Sequence, residues 1–142
     1  MNTINKFEKT MASIGLKVEV KSGKVKNPNK KKVLCICRGG VSRSNAMASL
    51  LKYGAGHDAI AAGFEGNEPE TLEMLFNWAD VIVTMREFFQ QYIPEQYRDK
   101  LRFIEVGEDI YFNPNPELYR QCAVWLHQQD DLRHEVLIQE SV

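Results

Sequence analysis

Val33-Leu34-Cys35-Ile36-Cys37-Arg38-Gly39-Gly40-Val41-Ser42-Arg43-Ser44 decides how this chain reads. Val33-Leu34-Cys35-Ile36 is apolar and short enough to be a buried strand, and Asn45-Ala46-Met47-Ala48-Ser49-Leu50-Leu51 reads as the first turns of a helix. Between them stand Cys37, two glycines and Arg43, which lies six positions after the cysteine with Ser44 beside it. A strand, a tight glycine loop and a helix N-terminus make a cradle for anions. Successive backbone N–H groups point inward, and the helix dipole adds partial positive charge. Gly39 and Gly40 let the backbone turn and approach a ligand closely. The plain alternative is a strand-to-helix turn with a buried cysteine and an incidental arginine. Cys-x-Gly-Gly-x-x-Arg-Ser between an apolar strand and a helix favours the anion loop.

Each residue of that loop has a place in phosphoryl transfer. The field that holds a phosphate also holds a thiolate, so Cys37 is expected to ionise readily and to attack phosphorus, forming a cysteinyl-phosphate. Arg43 can grip two oxygens with its planar fork. Together with the backbone of Arg38, Gly39, Gly40, Val41 and Ser42, it would stabilise charge on the three equatorial oxygens. Ser44 is placed to hydrogen-bond the Cys37 sulfur and to help it leave in a second step.

Working outward, strands and helices alternate. Residues 45–53 read as helix, ended by Gly54-Ala55-Gly56, and Asp58-Ala59-Ile60-Ala61-Ala62 as a short strand closed by Gly63. Asn67-Glu68-Pro69-Glu70 is a helix start with Asn67 as cap, and Leu72, Leu75, Phe76 and Ala79 share one face of that helix. Val81-Ile82-Val83-Thr84-Met85 is a strand apolar on both sides. Phe88, Phe89, Tyr92 and Ile93 mark a helix face stopped by Pro94, and Leu101 to Val106 reads as a fourth strand ended by Gly107. Asn115-Pro116-Glu117 starts a last helix with Leu118, Cys122, Trp125 and Leu126 inward. This order predicts an α/β fold with a four-stranded parallel sheet between helical layers. Such sheets bind ligands beyond the C-terminal ends of their strands, where the cysteine loop and Gly107-Glu108-Asp109 would meet.

Phosphoryl transfer through a cysteine also needs an acid to protonate the leaving oxygen and then to activate water. Asp109, in a loop just past a strand, is the candidate; Glu108 is its neighbour and rival, and Asp80 a remote one. A turn residue bonded to its own backbone is an equal reading of Asp109 from spacing alone. Tyr111, and Phe112 beside it, would supply an aromatic wall for a phenyl phosphate.

Val33–Ser44 resembles the phosphate loop of low-molecular-weight protein tyrosine phosphatases, which carry Cys-x5-Arg-Ser after their first strand. Ala79-Asp80-Val81-Ile82-Val83-Thr84-Met85 is similar to that family's Ala-Asp-apolar-strand-Met segment, and Asp109-Ile110-Tyr111 falls where the family has Asp-Pro-Tyr. The resemblance spans roughly Val33 to Leu126. It implies a flavodoxin-like three-layer fold, Cys37 as nucleophile, Arg43 as phosphate binder, Asp109 as general acid and Tyr111 as pocket wall. The chain departs from the family at Gly40 (usually asparagine), Ser42 (often a second cysteine), Asn45 and Ile110 (commonly proline), which marks a divergent branch.

The remaining composition sets limits. The 142 residues are 44% hydrophobic and 26% charged, ordinary for one globular domain. No apolar run approaches the ~20 residues of a membrane span, and the first residues lack the apolar core of a signal peptide. Three cysteines without framework spacing point to a reducing, cytoplasmic compartment. His57, His127 and His134 are scattered and read as surface residues; neither a metal nor an organic cofactor is expected. Charge is uneven. Residues 1–32 hold nine lysines against Glu8 and Glu19, a net +7, whereas residues 33–142 hold nine Lys/Arg against seventeen Asp/Glu, a net −8. The organisation expected is therefore a lysine-rich extension, 1–32, and a phosphatase-like domain, 33–142. The extension is read as a solvated arm, with Ser22-Gly23 at the turn of a small hairpin and a short helix through Thr10–Ile14. It also offers a surface for an acidic partner.

The expected substrate is a phosphorylated protein or a small aryl phosphate, hydrolysed through a cysteinyl-phosphate. A non-catalytic phosphate- or phosphoprotein-binding module is the first alternative. An arsenate reductase is another, and it would need Cys122 as an electron relay. Dual-specificity phosphatases usually place histidine where this chain has Ile36.

Overall fold

The computed structural model describes residues 9, 12, 16–17, 27–39, 42–108, 115–133 and 139–140. The expected hairpin around Ser22-Gly23 lies outside them, as does the short helix through Thr10–Ile14 except for Ala12. Four strands form one parallel sheet: β1 (Lys32–Cys37), β2 (Asp58–Gly63), β3 (Val81–Thr84) and β4 (Leu101–Phe103). Their spatial order is β2-β1-β3-β4, with Cys37 opposite Gly63 and Ile36 opposite Thr84. The α/β architecture expected from the alternation of elements is the one observed, and its strand order is that of a flavodoxin-like sheet. A separate two-residue antiparallel bridge joins Leu16–Lys17 to Gln139–Glu140.

Strand alternation divides the core. Val33, Cys35 and Cys37 face one side of the sheet with Val81 and Val83; Leu34, Ile36 and Ile82 face the other. The first side is covered by α1 (Arg43–Ser49), which runs on through a π-helical turn to Gly54, and by α3 (Pro116–His127). The second is covered by α2 (Pro69–Trp78) and by the 3-10 segment Glu95–Lys100, through Phe76, Tyr97 and the preceding Ile93, whereas the 3-10 segment Glu87–Tyr92 packs its Phe89 into the core of the first side. A sheet covered on both faces explains why β1 and β3 read as continuous apolar runs.

Helix ends follow the sequence in part. Asn115 caps α3 through its side chain, which accepts from Leu118 N–H at 3.0 Å, and Pro116 takes the first helical position, where its missing N–H costs nothing. At α2 the cap position is Glu68, not Asn67; Asn67 instead donates its amide to the Gly63 carbonyl at 2.7 Å and tightens the loop leaving β2. The segment with Phe88, Phe89, Tyr92 and Ile93 also differs from expectation. It winds as a 3-10 helix, which opens an apolar stripe drawn at α-helical spacing. Phe89 and Ile93 go inward, while Phe88 and Tyr92 remain 49% and 50% exposed.

His57 is buried, contrary to its reading as a surface residue. Its Nδ1 accepts the Lys31 N–H at 2.9 Å, and its Nε2–H donates to the Leu132 carbonyl at 2.6 Å. One neutral imidazole thus joins the entry to β1, the entry to β2 and the turn after α3.

Candidate active site

Cys37 ends β1 at the C-terminal edge of the sheet, where the strand order reverses between β1 and β3. It is 2% exposed, on the same face as Val33 and Cys35. Ser44, in the first turn of α1, places Oγ 3.3 Å from Cys37 Sγ. The two residues lie seven apart in sequence and meet because the chain reverses from strand to helix between them.

Arg43 opens α1 and is 1% exposed. Its Nη1 donates to the Gly107 carbonyl at 2.8 Å, and its Cζ lies 5.3 Å from the centroid of the Phe89 ring. Burying a guanidinium without such partners would be expensive. A hydrogen bond from a charged group contributes about 1.5–3 kcal/mol, and a desolvated cation–π contact about 2 kcal/mol. The carbonyl and the ring together fix the plane of the arginine fork, so the fork is oriented before any ligand arrives.

Gly107 stands at the root of the segment that follows β4, directly before the acid candidates Glu108 and Asp109 in the sequence. Its φ of +79° lies in the left-handed region, and a β-carbon there would meet no atom within 4 Å, so conformation and not space calls for glycine. Glu105 steadies this root. Its carboxylate accepts the Gly107 N–H at 2.8 Å and the Glu87 N–H at 3.1 Å, with Arg86 Nε 3.6 Å away. Glu108 is exposed on the next residue. Asp80 sits at the opposite end of the sheet, where its carboxylate accepts the Lys32 N–H at 2.9 Å. The six residues of β1 separate Asp80 from Cys37 by about 17 Å at the usual strand rise.

The other loop residues divide. Ser42 is buried at the cap position of α1, and its carbonyl accepts the Ala46 N–H at 3.0 Å. Arg38 points outward and pairs with Glu65 at 3.8 Å, both side chains exposed. A β-carbon at Gly39 would meet no atom within 4 Å, and its φ is not left-handed, so the fold itself does not demand glycine there. Gly40, Val41, Asp109 and Tyr111 lie outside the described residues.

Phe64, Phe89 and Glu105 belong to this corner, and sequence reasoning did not name them as site residues. The Phe64 N–H donates to the Cys37 carbonyl at 2.9 Å, and its ring lies 5.7 Å from Phe89 and 5.3 Å from Tyr92. The available signal was position: Phe64 directly follows a strand end on the ligand-binding edge. Phe89 was read only as core, and nothing in the sequence distinguishes Glu105 from any strand glutamate.

Cys35 and Cys122 are fully buried. Burial pushes both thiols up, and at Cys35 the nearby Cys122 and Cys37 add to it. Among the described residues no group of three or more His, Cys, Asp or Glu could hold a metal ion, and no helix is long and apolar enough to cross a membrane.

No protein-family model matches the chain, and no curated protein matches it either. Two solved structures are similar. Wzb from Vibrio vulnificus, in complex with benzylphosphonate, is 14% identical over 66% of this chain and 89% of its own, with a TM-score of 0.46. The YwlE arginine phosphatase from Geobacillus stearothermophilus is 20% identical over 65% of this chain and 82% of its own, with a TM-score of 0.44.

Proposed function

We propose that this protein is a cysteine-dependent phosphatase that hydrolyses phosphotyrosine or a similar phosphomonoester. The observation that carries the proposal is the pairing of Cys37 with Ser44 beside a buried arginine that is already oriented, at the strand-order switch of a parallel sheet. In the first step the Cys37 thiolate attacks phosphorus, the bond to the aryl oxygen breaks, and Asp109 gives that oxygen its proton. In the second step Asp109 takes a proton from water as the water attacks phosphorus. The phosphorus–sulfur bond breaks and Cys37 leaves as thiolate, with the Ser44 O–H donating to the sulfur. Arg43 and the amides of residues 38–42 hold the equatorial oxygens throughout. Asp109 suits the acid role because two residues span at most about 7 Å and Gly107 is bonded to Arg43. Tyr111 would line the pocket on the same loop. Residues 1–32 serve as a basic arm that steers acidic substrates or partners toward the domain.

The arsenate-reductase alternative needs cysteines that pass electrons. Cys35 and Cys122 are fully buried with raised thiols, which opposes the thiolate exchange such a relay requires.

The test is hydrolysis of p-nitrophenyl phosphate, with reductant and without added metal. Wild type should turn over, Cys37→Ser should not turn over while still binding vanadate, and Asp109→Asn should slow by about 10²–10⁴-fold. A folded wild type that binds vanadate without turnover would instead favour the phosphate-binding module.

A further inference from the structure

Beside the cysteine lies a surface whose chemistry differs from that of the phosphate loop. Phe64, Phe88, Phe89 and Tyr92 form one connected set of rings. Phe64 and Tyr92 are 5.3 Å apart edge-on, Phe88 and Tyr92 5.6 Å edge-on, and Phe88 and Phe89 6.1 Å edge-on. All are within the range in which aromatic rings attract one another. The inner end of the set is fixed to the candidate site: Phe89 lies against Arg43, and the Phe64 amide is bonded to the Cys37 carbonyl. The outer end, Phe88 and Tyr92, is half exposed. Phe89, through its ring, and Phe64, through its backbone, are thus the two members of the set tied to the candidate site. Tyr92 meets both Phe64 and Phe89, and Phe88 meets Phe89, so each outer ring stands one ring away from the candidate site, at centroid spacings of 5.3, 6.4 and 6.1 Å, a step that one to two residues of an extended peptide cover at about 3.3–3.6 Å per residue.

We propose that Phe88 and Tyr92 form a selectivity ridge that receives a large apolar or aromatic side chain next to the phosphorylated residue of a peptide substrate. The proposal rests on the phosphatase reading and adds the sequence preference of the substrate. Two half-exposed rings that are pre-packed edge to edge lose little freedom when covered, which is the property of a recognition surface. The rim beside Phe64 is made by the exposed Arg38–Glu65 pair, so polar contacts frame the apolar ridge.

Two phosphotyrosine peptides test it, one with leucine on both sides of the phosphotyrosine and one with glycine. Wild type should favour the leucine peptide in kcat/KM by about tenfold, the worth of half-burying one large apolar side chain. In Phe88→Ala/Tyr92→Ala that ratio should fall to within about twofold of unity. The single variant Tyr92→Ala, with its fold checked by circular dichroism, should give an intermediate ratio. A wild-type ratio near one, or a ratio that survives in the double variant, overturns the ridge. Calorimetry with the same peptides carrying a non-hydrolysable phosphonomethyl-phenylalanine reads the preference without turnover. Absent hydrolysis of p-nitrophenyl phosphate would count against the phosphatase reading, while equal affinity for the two phosphonate peptides would count against the ridge.

Discussion

Arg43 is 1% exposed, and among the described residues its guanidinium is anchored from distant parts of the chain. Gly107 supplies a carbonyl 64 residues away, and Phe89 supplies a ring face from the segment after β3. Lysine would keep the charge and lose the rest, since an ammonium has no plane to stack and no fork to present two parallel donors. Arg43→Lys should therefore weaken vanadate inhibition by about 10–100-fold, the value of one or two charge-assisted hydrogen bonds. Its turnover should fall by about 10²–10³-fold, in line with the loss of a preorganised donor to the transition state. Unchanged vanadate inhibition in a folded Arg43→Lys would remove this residue from the phosphate site. The position of Arg43, at the start of the helix that follows Cys37, was legible at the sequence level. Its partners were not, because a carbonyl and a ring become partners only when β3 and β4 lie beside β1.

At the scale of elements, what matters is how the segments after β3 and after β4 are held together. Glu105 accepts from Glu87 on one segment and from Gly107 on the other, so a single carboxylate links the turn leading to Phe89 with the loop root that grips Arg43. The side chain is about half exposed, and water competes for each bond, so Glu105→Ala should cost no more than about 1 kcal/mol of stability. The local effect should be larger than the global one. Amide exchange at Glu87 and Gly107 should accelerate. With Asp109 as the proposed acid, kcat should fall severalfold with KM for p-nitrophenyl phosphate nearly unchanged, because the linkage holds Gly107, two residues before Asp109, and does not itself touch the phosphate. Wild-type exchange at Gly107 in that variant would show that the Arg43 bond alone fixes the root. Element existence was readable from periodicity and from punctuation such as Asn115-Pro116 and Gly107. The 3-10 winding after β3 was not, because Phe88, Phe89, Tyr92 and Ile93 satisfy α-helical spacing and only the packed sheet decides which rings fit beneath it.

Across the whole molecule, the layers on the two faces of the sheet reflect a parity that the sequence already carries: odd residues of β1 on one side, even residues on the other. That made the fold class readable. The tie that closes the end of the sheet opposite Cys37 was not readable, because a lone histidine gives no sign of its partners. His57 satisfies Lys31 ahead of β1 and Leu132 beyond α3 with opposite ring nitrogens, so it joins segments 26 and 75 residues away. Removing the ring takes the partner from the half-buried Lys31 N–H and from the buried Leu132 carbonyl, the buried one alone worth about 1–3 kcal/mol, and adds a cavity the size of an imidazole. His57→Ala should therefore destabilise the protein by about 2–4 kcal/mol. This would be read as a lower denaturant midpoint at an unchanged slope. Because the tie is remote from Cys37, the variant should keep its kcat for p-nitrophenyl phosphate at temperatures where it remains folded. A midpoint within experimental error of wild type would mean that the C-terminal turn packs without this histidine. A large loss of kcat in the folded variant would mean that strain at this end of the sheet reaches the cysteine through β1.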